Sequence, residues 1–145
     1  MPLPIVQTPV TTQYADFGLR FVAFLIDGII VFLIDLIIIF TMVSLDNYNN
    51  PDENAVFIVI SAFNWLYYAL FESSSRMATP GKRALGLRVT DLAGNRISFG
   101  RATGRLFGKY LSGIFLGLGY LAILWSPRKQ SWHDQLAGCL ILRTR

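Results

Sequence analysis

The chain has 145 residues, of which 53% are hydrophobic and 15% charged, with a mean hydropathy of +0.46. Average soluble domains carry roughly 25% charged residues, and a small domain has too little interior to hide so many apolar side chains. Part of the chain therefore faces lipid, which excludes disorder, a disulfide scaffold (Cys139 is the single cysteine) and a nucleic-acid module despite the net charge of +4.

The first element in chain order is an apolar run from Phe21 to Val43, in which 17 of 23 residues are Leu, Ile, Val or Phe. As a helix it is about 35 Å long, against a hydrocarbon core of about 30 Å. The spacing predicts a first membrane helix over about 20–44. Its apolar side chains favour insertion by about 5–10 kcal/mol, while Asp27 and Asp35 each oppose it by about 2.5–3.5 kcal/mol. The two acids thus need local partners. The run is too long for a cleavable signal peptide, and no small-residue cleavage site follows it.

A second run, Ala55 to Phe71, is interrupted by Ser61 and Asn64 and predicts a second membrane helix over about 55–72. The polar stretch 46–54 between the runs holds Asp52 and Glu53 and no base. The two runs form a helical hairpin. Basic residues occur only as Arg20, as eight between Arg76 and Lys109, and as four between Arg128 and Arg145. By the positive-inside rule the N-terminus and the segment after the second helix are cytoplasmic, and the acidic turn is outside.

Beyond the hairpin, Leu85, Leu87 and Val89 alternate, a turn follows at Asp91 to Asn95, and Ile97 and Phe99 resume the alternation. This pattern predicts a small cytoplasmic β-hairpin. Ser98 then reads as the N-cap of a helix on which Arg101, Arg105 and Lys109 recur every four residues. With Lys82 and Arg83, they form a basic surface suited to anionic lipid headgroups. A stripe that merely obeys the positive-inside rule has the same look.

The third hydrophobic region, about 106–126, contains Gly108, Gly113, Gly117 and Gly119. It either spans the membrane and exports the basic tail, or bends near the glycines as a re-entrant helix pair. The charge bias favours the second, with a cytoplasmic tail. The whole chain, 1–145, is one domain, an all-α membrane fold with this small β-hairpin.

Chemistry-bearing residues are few. Arg20 and Asp27, seven apart, share a helix face about 10 Å apart along the axis. Asp35 is turned by about 80° from Asp27. An intramembrane carboxylate either carries a proton or cation, or accepts hydrogen bonds from a cap, a Tyr, a Trp or an Arg and fixes packing. For Asp35 the expected partner is Asn64 or a neighbouring chain. His133 and Cys139 are too few for a zinc site, and there is neither a nucleophile elbow nor a P-loop. No catalytic, metal or cofactor site is expected.

Three segments together resemble the RDD family of small bacterial integral membrane proteins: RFVAFLID at Arg20–Asp27, TPGKRALGLRV at Thr79–Val89 and HDQLAG at His133–Gly138. The resemblance covers about Tyr14 to Leu142 and implies that Arg20, Asp27 and Asp134 are the residues for which the family is named. Cys139 replaces the threonine usual after the closing glycine, and Asp35 lies outside the pattern. The resemblance further implies a multi-pass protein of the bacterial cell (inner) membrane, with transport or cation/proton exchange as a lead. Three hydrophobic segments are too few to enclose a pathway, so exchange needs a homo-oligomer or a membrane protein partner. The alternative is a non-catalytic structural or accessory protein that binds a protein partner or anionic lipid. If the tail is cytoplasmic, Arg20, Asp27 and Asp134 are expected in one polar cluster.

Overall fold

The computed structural model describes residues 13–45, 52–115 and 117–144. Strand β1 (Gln13–Tyr14) leads into helix α1 (Phe17–Leu45), whose first turn is closed by the Asp16 carboxylate accepting from Leu19 N at 3.0 Å. Helix α2 (Glu53–Ser73) starts on Asp52, whose side chain accepts from the amides of Asn54 and Ala55. Both helices are long and apolar enough to cross a membrane. Each extends a residue or more beyond the expected bounds, because polar caps continue the hydrogen-bonded ladder past the apolar run. The expected turn at 46–54 lies outside the described residues as far as 51.

After α2 come a one-and-a-half-turn helix α3 (Pro80–Ala84), strand β2 (Leu87–Asp91) and helix α4 (Phe99–Ile114). Ser98 caps α4 as its sequence predicts, accepting from Arg101 N at 3.2 Å. A short helix α5 (Leu118–Leu121) runs into a 3-10 turn at Ala122–Leu124, followed by α6 (Trp132–Ala137) and β3 (Cys139–Arg143). The third hydrophobic region is therefore broken. The α4 axis and the helical segment Leu118–Leu124 meet at 111°. Gly117 permits the break, since its φ of +75° is one that side-chain-bearing residues rarely adopt.

The strand pattern differs from the expected hairpin. The Asp91–Asn95 turn forms, with the Asp91 carboxylate accepting from Ala93 N and Asn95 N at 2.9 and 2.8 Å. The returning arm, however, pairs only at Thr90 and Arg96 before Ser98 starts α4. The ladder of β2 is made instead with β3, antiparallel from Leu87–Arg143 to Asp91–Cys139. β1 pairs with the other edge of β3, giving the sheet order β1-β3-β2. Once β3 satisfies the backbone of β2, residues after Ile97 are free to follow their helical propensity.

The inward side chains of the sheet, Leu87, Val89, Cys139 and Ile141, pack on Ala15, Ala23, Ala69, Ile97 and Ala102. Alanines from α1, α2 and α4 let three backbones converge here. Because β1 precedes α1 and β3 follows the bent region, the two flanks of the chain meet in one sheet at the same end of the α1–α2 hairpin.

Candidate functional site

At that end, a row of charged side chains alternates in sign. Lys82 Nζ on α3 donates to Glu72 Oε1 on α2. Glu72 Oε2 accepts from Arg105 Nη1 on α4 at 2.5 Å, and Arg105 Nε donates to Asp134 Oδ1 on α6 at 2.7 Å. Asp134 Oδ2 takes Arg20 Nη1 of α1 at 2.5 Å. Five helices are tied by five residues. Arg20 also donates through Nε to the carbonyl of Ala15 at 3.1 Å and through Nη2 to that of Lys129. Ser131 completes Asp134, its hydroxyl and its amide both donating to Oδ2 at 2.8 and 3.3 Å. Lys109 stands at the margin, 3.5 Å from Glu72 Oε1 and 5.0 Å from the centre of the Tyr68 ring.

Burial sets the electrostatics. Arg105 is 1% exposed and Asp134 0%. Burial alone would raise the Asp134 carboxyl, but Arg105 and Arg20 overcome it and hold it well below the usual carboxylate range. Burial lowers the Lys82 ammonium even against Glu72. His133, next to Asp134, is pushed down to about 3, first by burial and then by Arg105 and its neighbouring cations. Its Nε2 lies 2.8 Å from Ser131 Oγ, while Nδ1 meets no hydrogen-bond partner among the described residues.

Asp27 belongs to a second, neutral pocket. Its carboxylate, 1% exposed, accepts from the Tyr67 hydroxyl at 2.9 Å, the Thr79 hydroxyl at 2.5 Å and the Gly81 amide at 2.8 Å. Thr79 is the N-cap of α3 and also accepts from Lys82 N at 3.4 Å, which links this pocket to the charge row. Gly81 is required by close approach. A Cβ there would overlap the carbonyl oxygen of Ala23 and come within 2.8 Å of Asp27 Cγ.

Of the expected cluster, the structure brings Arg20 and Asp134 together and keeps Asp27 apart, about two helix turns further along α1 where only neutral donors reach it. Asp35 is half-buried, with Asn64 Nδ2 3.2 Å from each of its oxygens.

The basic surface needs correction. Arg83 and Arg101 are exposed, but Lys82 and Arg105 are buried, and Lys109 is half-buried against Glu72. Arg105 and Lys109 on α4 turn inward because Glu72 and Asp134 lie there, while Phe107, Tyr110, Leu111 and Ile114 turn outward. A helix bordering lipid reverses the soluble pattern in this way, since carboxylates inside the protein solvate a cation better than hydrocarbon outside. The residue overlooked in the sequence is Glu72, the single acid between Glu53 and Asp91, placed directly after the second apolar run and ahead of the basic segment.

The model of the RDD family matches residues 14–138, the span that contains the charge row, the Asp27 pocket and the Asp35–Asn64 pair. The chain belongs to the RDD family. Among relatives of this RDD chain, the uncharacterized protein YxaI of Bacillus subtilis (strain 168) is 34% identical, covering 90% of this chain and 95% of its own. The uncharacterized membrane protein YteJ of the same strain is 26% identical, covering 93% of this chain and 84% of its own. No solved structure matches the chain. The family match, the membrane-protein relative and the two apolar helices make this RDD chain a membrane protein.

Proposed function

We propose that the chain is a non-catalytic structural or accessory protein of the membrane. Its charge row locks a helical hairpin, and its apolar faces receive a membrane protein partner, a second copy of the chain included. One observation carries this: Arg20, Asp27 and Asp134 are each saturated by internal partners, so none is free to take a transported ion in this conformation. The sheet end faces the cytoplasm in this proposal, because the arginines flank it and the acids Asp52 and Glu53 lie at the far end. The shared sheet supports placing the N-terminal and C-terminal segments on one side, with α4 and α5 dipping in and returning. The membrane is then the bacterial inner membrane, crossed by α1 and α2.

A second use, cation/proton exchange by an oligomer, is favoured by one detail. Asp35 sits within α1 with the neutral amide of Asn64 as its contact, and no cation is paired with it among the described residues.

Reconstitution separates the two. Liposomes carrying the wild-type chain are expected to show no pH-dependent sodium flux, whereas mild cross-linking in cells captures a stoichiometric membrane partner or a second copy. Sodium flux that is abolished by Asp27→Asn or Asp35→Asn, with thermal unfolding unchanged, would overturn the structural role.

A further inference from the structure

Lys82 turns inward to Glu72, but its neighbour Arg83 turns outward and, with Arg76, flanks a groove of about 430 Å³ between the end of α2 and α3. Phe71, Ala78, Pro80 and Ala84 make the rest of its wall apolar. Both arginines are exposed, and among the described residues no carboxylate is paired with either. Among the described residues the groove lining includes no acid.

The loop that carries Arg76 is built rather than slack. Met77 holds a φ of +52°, a conformation rare for a residue with a side chain. Its amide donates to the Ser74 carbonyl at 3.0 Å, and its carbonyl accepts from Val89 N at 2.6 Å, pinning the loop between α2 and β2. Thr79 and Pro80 then start α3 in a fixed direction towards Arg83. Two guanidiniums are thus held on either side of an oily cleft. Arg76 is three residues past Ser73, the last residue of α2, which sets the cleft at the depth of lipid headgroups.

We propose that this groove seats one anionic phospholipid, its phosphate between Arg76 and Arg83 and an acyl chain along the apolar wall at Phe71. Guanidinium forks match phosphate oxygens, the apolar wall matches the chain, and the uncompensated charge selects against a zwitterionic head. The inference rests on the membrane placement in the proposed function but on neither its sidedness nor its partner.

The full chain in an uncharged detergent is titrated with dioctanoyl phosphatidylglycerol, dioctanoyl phosphatidylcholine and inorganic phosphate, and bound lipid is counted by native mass spectrometry. Expected are one phosphatidylglycerol per chain, bound at least ~10-fold more tightly than phosphatidylcholine, and no displacement by phosphate at equal concentration. Arg76→Gln with Arg83→Gln should weaken phosphatidylglycerol by at least ~10-fold at unchanged Tm in phosphatidylcholine, because neither side chain has a partner to lose among the described residues. Arg101→Gln, in the separate cleft between α4 and α6, should leave it unaltered. Equal retention by the double variant, an equal loss in Arg101→Gln, or full displacement by inorganic phosphate would each overturn the site. Since lipid is counted in detergent, a failed flux or partner experiment leaves this result standing, and the reverse holds as well.

Discussion

Along α1, Ala23, Asp27 and Val31 are buried, and no residue beyond Val31 is; along α2, no residue before Tyr67 is buried, whereas Tyr67, Ala69 and Glu72 are. The near halves of the two helices therefore turn one face into protein, whereas Phe24 and Leu70 on their other faces and side chains such as Phe40, 75% exposed, in the far halves meet their surroundings. The difference shows how one helix can serve two solvents. In the near half, polar groups are cheap because each meets a partner on α3, α4 or α6. In the far half hydrocarbon supplies the contacts, and the polar side-chain links from helix to helix are Asp35 with Asn64 between α1 and α2 and Trp65 Nε1 donating to Thr103 Oγ1 on α4.

The sharpest way to break the near half is Arg105→Met, which leaves Glu72 and Asp134 buried without their shared cation. Loss of one partner from a buried pair costs about 3–5 kcal/mol. The variant should lose most of its cooperative thermal transition in detergent, while α1 and α2 still insert and retain their helical circular dichroism. A folded variant with a wild-type Tm would mean that the row contributes little.

Gly81→Ala probes the same half by shape alone. Its methyl group must push α3 off α1 at Ala23 and Asp27, an overpacking that costs about 1–3 kcal/mol and is read as a lower Tm. Asp27→Asn should not rescue it, since the clash includes the main chain of α1.

Acidity sharpens the comparison further. The folded-state value of His133 is about 3 against an ordinary 6.5, so between these limits the unfolded chain binds more protons and stability rises with pH. Above pH 6.5 this contribution is fully present, and it is lost as pH falls towards 3. The loss down to about pH 5 is at most about 2 kcal/mol, and His133→Gln should flatten it. Asp134 stays ionised through that window; its own contribution is present above the ordinary carboxylate range and fades only at lower pH. A denaturation series across pH with both proteins checks the sign.

The smallest effect belongs to the far half. Asp35→Asn keeps an interhelical hydrogen bond available, and such links in bilayers average about 0.6 kcal/mol. A much larger change in unfolding midpoint would reveal a partner for Asp35 beyond Asn64.

How much of this was legible follows the same division. The far halves were plain in the sequence, because an unbroken apolar run has a single stable use at that length, and Asp35 with Asn64 stood out as its interruptions. The glycine-rich break before Leu118 was visible as an alternative to a straight span. The near half was harder. Arg20 and Asp134 came from motif resemblance and not from spacing, since 114 residues separate them. Arg105 and Lys82 carry no local mark that distinguishes a cation aimed at lipid from one aimed at Glu72; only the packing of α4 on α2 decides it. β3 was missed because Cys139 to Leu142 is a short, unalternating apolar stretch, equally compatible with helix or strand.

The order of the strands has a consequence for biosynthesis. The middle strand of the sheet leaves the ribosome after both strands that flank it, so their edges stay open until Arg143 has emerged. Asp134 emerges just ahead of that strand, so Arg20 waits 114 residues of synthesis for its carboxylate. A message cut short before Ser131 would yield a product that still enters the bilayer but never latches, a form that cellular proteases can tell from the finished molecule.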